Sequence, residues 1–100
     1  MLIHTVYFWL ADTATVADRD RLLADCRELL PQAPTVRSLH AGVPAGTPID
    51  VVDNSYSVAL IMTFDDAAGA KAYADHLVHQ QFIDRVMPLV ARVVAYDTLV

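Results

Sequence analysis

Apolar and polar positions change their period several times along this chain, and the changes mark out its elements. Residues 2–10 are β-branched, aromatic or aliphatic apart from His4, the pattern of a strand covered on both faces rather than half exposed. From Thr15 the spacing lengthens to Val16, Leu22, Leu23, Cys26, Leu29 and Leu30, with Asp18, Arg19, Asp20, Arg21, Asp25, Arg27 and Glu28 between them. That is an amphipathic helix, capped by Thr15 and stopped by Pro31 and Pro34. A short second strand is predicted over 36–41. The Gly and Pro content of 42–48 forbids regular structure, and the loop runs on to Asn54. Residues 55–64 alternate most clearly: Tyr56, Val58, Leu60, Met62 and Phe64 lie on one side, Ser57, Ala59, Ile61 and Thr63 on the other. Asp65 or Asp66 caps a second helix through Ala67, Ala70, Tyr73, Ala74 and Leu77. A further helical piece is predicted over about 80–90, interrupted by Pro88, and a last apolar strand over 92–100.

The order β-α-β-β-α-β is the split, ferredoxin-like arrangement of an α+β domain, with a four-stranded antiparallel sheet and its helices on one face. No repeat, low-complexity tract or linker divides residues 1–100, so one domain is expected. The other face of the sheet is bare. If the bulky side of 55–64 points that way, its exposed patch exceeds the few hundred Å2 tolerated by a monomer. The expectation is a homodimer in which a second copy's sheet covers it, closing an α+β barrel.

Composition sharpens this picture. Hydrophobic residues make up 55% and charged residues 19%, with mean hydropathy +0.36, more apolar than the roughly 45–50% and 25% of an average soluble domain. A membrane does not account for the excess, because the longest uncharged apolar stretch, about 54–64, falls short of the roughly 18–20 residues a span requires. No Lys or Arg precedes the first apolar stretch and no small-residue cleavage site follows it, so a cytoplasmic protein without a signal peptide is expected. A net charge of −5, a single lysine (Lys71) and scattered arginines argue against a nucleic-acid partner, which needs clustered cations. Cys26 is alone and shares a helical face with Leu22, Leu29 and Leu30, as a packing residue does.

The titratable groups in apolar surroundings are the candidates for chemistry. A neutral imidazole near pKa 6.5 can take a proton from carbon beside a carbonyl, and a phenol can hydrogen-bond the oxyanion that forms. His4, Tyr73 and His79 are the groups of these types in play, and each also has a plain structural reading as a core-edge aromatic or a capping histidine. His76 and His79 share a helix face and resemble half a metal site, but no carboxylate or thiolate stands at ligand spacing beside them, so no metal is expected. No Gly-rich phosphate loop marks a nucleotide, flavin or haem site, so no cofactor is expected either. Asp50, Asp53 and Asn54 in the long loop read as turn formers before ligand contacts.

Four stretches resemble the stress-responsive α/β-barrel (Dabb) family of the dimeric α+β-barrel superfamily. They are Ile3-His4-Thr5-Val6-Tyr7-Phe8-Trp9-Leu10, residues 56–65, the Tyr73…His76-x-x-His79-x-x-Phe82 segment, and Val93-Val94-Ala95-Tyr96-Asp97. The resemblance implies a homodimer with a cavity between sheet and helices in each subunit. Members include proteins known as stress-responsive and cofactor-free enzymes, among them a plant polyketide cyclase and a fern hydroxynitrile lyase. Carried over by position, the resemblance implies Tyr73 and His79 as the catalytic pair and His4 as a substrate-binding group. It also places Val58 where the cyclase has a further cavity histidine, Cys26 where it has a tyrosine, and Leu77 where a proline is usual. Trp9 is similar to the cavity tryptophans of cofactor-free monooxygenases in the wider superfamily. The function implied is binding of a small hydrophobic or aromatic carbonyl compound, with lyase or cyclase chemistry. The alternatives are a non-enzymatic stress-response or ligand-binding protein and a cofactor-free monooxygenase.

Overall fold

Alternating and helical stretches of this sequence settle into two layers in the computed structural model, which describes residues 1–100. In chain order the elements are β1 (Leu2–Leu10), α1 (Val16–Glu28), β2 (Ser38–Gly42), β3 (Val58–Phe64), α2 (Ala67–Asp75), α3 (Leu77–Val86) and β4 (Val90–Leu99). Short 3-10 turns at Leu30–Gln32 and Met87–Leu89 follow α1 and α3. The sheet order is β2-β3-β1-β4, with every pairing antiparallel. This is the ferredoxin-like fold expected from the element order.

The caps are local. Thr15 accepts from the Asp18 N–H at 3.2 Å while Asp18 accepts from the Thr15 N–H at 2.9 Å, a reciprocal box that starts α1. Asp66 accepts from the Gly69 N–H at 2.8 Å and starts α2. The helix predicted from about 80 instead begins at Leu77. Extended backbone at His76 ends α2, and the His76 ring Nδ1 accepts the Val78 N–H at 3.0 Å to open α3. A histidine cap has no propensity signature as clear as Ser or Asp, so the periodicity alone placed this boundary late. β3 likewise starts at Val58 rather than residue 55, because Tyr56 and Ser57 belong to the incoming loop.

One expectation about the sheet is reversed. The bulky side of β3 does not form the bare face: Val58, Leu60, Met62 and Phe64 are buried in a single core with Leu22, Cys26, Leu30, Tyr73, Val78, Phe82 and Val86. The reason is volume. Helices lying on a sheet leave a wide gap that must be filled to crystal-like density, and the Ala59, Ile61, Thr63 side is too small to fill it. Those smaller residues lie on the open face, in register with Tyr7, Thr5 and Ile3 of β1. β1 is flanked on both edges but packed by helices on one face alone, with Leu2, Val6 and Phe8 buried and the other side partly open, whereas its sequence predicts cover on both.

Candidate functional site

His4 stands on the helix side of β1, opposite Met62 of β3 and Asp97 of β4. Its Nδ1 lies 2.5 Å from Asp97 Oδ1. A carboxylate only accepts, so Nδ1 carries the proton of this hydrogen bond. Tyr73 comes from α2, where the small residues Ala67, Ala68, Gly69 and Ala70 let the helix lie close to the sheet. Its ring packs against Phe64 at 5.3 Å, meets His79 edge-on at 4.9 Å and lies 6.3 Å from His4. His79 projects from the first turn of α3, the helix that His76 caps. Three elements therefore bring His4, Tyr73 and His79 to one place.

These three side chains line two neighbouring cavities. One, about 300 Å3, also touches Lys71 and Asp97; the other, about 290 Å3, is walled by Phe8, Leu60, Phe82, Ile83 and Met87. A polar-mouthed chamber and an apolar one thus meet at the same residues. Burial drives the Tyr73 phenol well above its ordinary pKa, with Cys26 adding to the shift. Burial, and next the positive charge that His4 carries when protonated, pull the His79 imidazole below 6.5. Near neutral pH, Tyr73 is a hydrogen-bond donor and His79 an uncharged base. No fully buried side-chain polar atom lacks a partner, and Tyr73 donates to nothing in the chain, so its hydroxyl opens onto the cavity.

The other two site residues expected from sequence do not reach this cavity. Trp9 is five positions from His4 on one strand, so the two face opposite sides of the sheet. On the open face Trp9 lines a groove of about 420 Å3 with Tyr7, Tyr56, Arg92 and Tyr96. Its indole N–H donates to Ser55 Oγ at 3.0 Å, and the Arg92 guanidinium lies 4.5 Å over its ring. Val58 does face the helices, but it sits fully buried at the start of β3 opposite Phe8, whereas His4 is opposite Met62.

Of the remaining candidates, Asp50 is exposed on the loop without a side-chain partner, and the others have structural roles. His76 is occupied as the α3 cap. Cys26 is fully buried, and burial pushes its thiol up to about 12. Asp53 accepts from the Ser55 N–H at 2.8 Å and Asn54 donates to the Thr47 carbonyl at 3.0 Å, so both shape the loop. No group of three or more His, Cys, Asp or Glu converges on a point that would hold a metal. Asp97 is the site residue that sequence reasoning left without a role. Ninety-three positions separate it from His4, and only the β1–β4 register joins them; the one available signal was that a histidine in an apolar strand needs a partner.

The sequence matches the stress responsive A/B barrel domain (Dabb) family over residues 2–100, and the chain belongs to that family. Solved structures share its fold. A Dabb family protein with a ferredoxin-like fold from Mesorhizobium loti is 27% identical, with TM-score 0.81 over 99% of this chain and 95% of its own. A dimeric ferredoxin-like protein of unknown function from Thermobifida fusca is 23% identical, with TM-score 0.83 over 99% and 90%. The hydroxynitrile lyase of Passiflora edulis is 17% identical, with TM-score 0.86 over 99% and 92%. No curated protein matches the sequence. No helix is long and apolar enough to cross a membrane.

Proposed function

We propose that this protein is a homodimer in which each subunit binds a small carbonyl or aromatic metabolite between sheet and helices and transfers a proton on it without a cofactor. The observation that carries the proposal is the convergence of His4, Tyr73 and His79 where a polar-mouthed cavity meets an apolar one. The apolar chamber takes a hydrocarbon or aryl portion, leaving the carbonyl beside the three polar side chains. His79 takes the proton from the carbon next to the carbonyl. The electron pair moves into the new C=C bond, negative charge collects on oxygen, and the Tyr73 O–H donates to it. Asp97 fixes the tautomer and rotation of His4, so that its Nε2 meets the ligand in one orientation. The hydroxynitrile lyase among the structural relatives supports lyase activity on this scaffold, and the dimeric relative supports the assembly.

The test is deuterium exchange. The protein is incubated in D2O with acetophenone, phenylacetone and methyl pentyl ketone, and loss of the α-proton signals is followed by NMR. A positioned base is worth about 10²- to 10⁴-fold, so His79→Ala should remove most of the enzyme-dependent exchange, and Tyr73→Phe should slow it with less effect on binding. Exchange at the parental rate in both variants would sink the assignment. Binding of these ketones with no exchange in the parent would replace catalysis by the non-enzymatic ligand-binding reading.

A further inference from the structure

The open face of the sheet has a rim at one end. Fifteen residues separate β2 from β3, where adjacent antiparallel strands need only about two to five. This loop runs onto the open face and is fastened to β1 where it returns. The Ser57 N–H donates to the Phe8 carbonyl at 2.7 Å, Ser57 Oγ accepts the Leu10 N–H at 3.0 Å, and Ser55 Oγ accepts the Trp9 indole. Tyr56 packs edge-on against Tyr7 at 5.0 Å. Val52 and Asp53 stand as one wall of the groove whose floor is Tyr7, Trp9, Val94 and Tyr96.

The tip is held in shape from within: the Val52 N–H donates to the Ile49 carbonyl at 2.9 Å, and Asn54 spans back to Thr47. Even so, Ile49 is 58% and Val51 90% exposed. A fixed loop that turns two large aliphatic side chains outward, continuous with the Tyr7, Trp9, Val94 and Tyr96 part of the sheet face, presents a surface that calls for cover.

We infer that the Thr47–Ser55 loop is a docking arm for a second copy of this chain, and that Ile49 and Val51 are buried against the partner's sheet in the dimer. The inference rests on the dimer proposed above. Sheets packed face to face lie about 10 Å apart, a depth that a rim standing up from one sheet spans to reach the other. A two-fold axis makes each arm contact twice. The occupant is the same chain because the arm borders the face that the second sheet covers, and the strand positions of that face carry no Asp or Glu to oppose the arm's own Asp50 and Asp53.

Dilution experiments decide it. Trp9, the only tryptophan, lies beneath the arm, so its emission should shift to the red as the dimer separates, with mass followed in parallel by light scattering. Ile49→Asp and Val51→Asp should each raise the dissociation midpoint about tenfold or more with an unchanged far-UV spectrum, and Val51→Ser by less. Ile61→Asp, on the sheet face and off the arm, is the reference. If the arm variants keep the parental midpoint while Ile61→Asp is monomeric, the arm inference fails and the sheet pairing stands. If Ile61→Asp remains a dimer like its parent, the pairing and the arm fall together.

Discussion

Leu60 and Ile61 are adjacent on β3, similar in size and opposite in orientation, so the same substitution at each should fail in different ways. Leu60 is 1% exposed in the core. Replacing it with Asp forfeits about 2–3 kcal/mol of aliphatic burial and sets a carboxylate among Val58, Met62, Phe64 and the helix side chains, with no Lys or Arg among the residues that line the adjoining cavity. The penalty for an unpaired buried charge is several kcal/mol more. Together these consume most of the roughly 5–15 kcal/mol that holds a domain of this size. Leu60→Asp should therefore be unfolded or molten at 25 °C by circular dichroism. In Ile61→Asp the carboxylate faces away from the helices, so the subunit should keep its far-UV spectrum and a cooperative urea transition. What it should lose is mass, from about 22 kDa (twice the 11.0 kDa chain) to that of one chain. A folded Leu60→Asp protein beside an unfolded Ile61→Asp protein would refute the assignment of the two faces.

Further outcomes follow from three single groups. Because burial and His4 lower the His79 pKa, any activity that uses it as a base should rise through a midpoint below pH 6.5 and be level at neutral pH; a midpoint above 6.5 would contradict the environment described. The sign for stability is the same: with the folded pKa below the unfolded one, protonation favours the unfolded chain, so this group's contribution is present above pH 6.5 and lost as pH falls below it, as urea midpoints of the parent and His79→Gln would show. The Cys26 thiol, buried and pushed up to about 12, should resist a thiol reagent in native buffer and react fully in denaturant. Thr15→Ala should cost about 1 kcal/mol by opening the α1 cap, measured by urea unfolding at fixed protein concentration.

The sequence carried the element order plainly, because each period is a local property. The all-apolar β1, the α1 stripe with its Thr15 cap and the alternation of β3 each follow from residues within a few positions of one another. What alternation does not carry is which side meets the helices. Val58, Leu60, Met62 and Phe64 could be read as an interface or as a core, and the deciding quantity, the volume of the space under α1, α2 and α3, belongs to the assembled layers. The site divides the same way. His4, Tyr73 and His79 were visible as chemical types in apolar settings, whereas Asp97 reached His4 only through a strand register spanning the whole chain. Trp9 is a different case: strand parity already set it opposite His4, and its likeness to cavity tryptophans elsewhere outweighed a rule that the sequence itself supplied.

A small-molecule site at His4, Tyr73 and His79 is read out by the ring signals of the four histidines in a ¹⁵N-labelled protein titrated with phenylacetone. His4 and His79 line the cavity, His40 lies on the open face of β2, and His76 is held as a helix cap, so two rings report on the site and two serve as controls. The His4 and His79 resonances should move together and saturate at one affinity while those of His40 and His76 stay in place. A titration that moves His40 or His76 and leaves His4 and His79 unchanged would contradict the account.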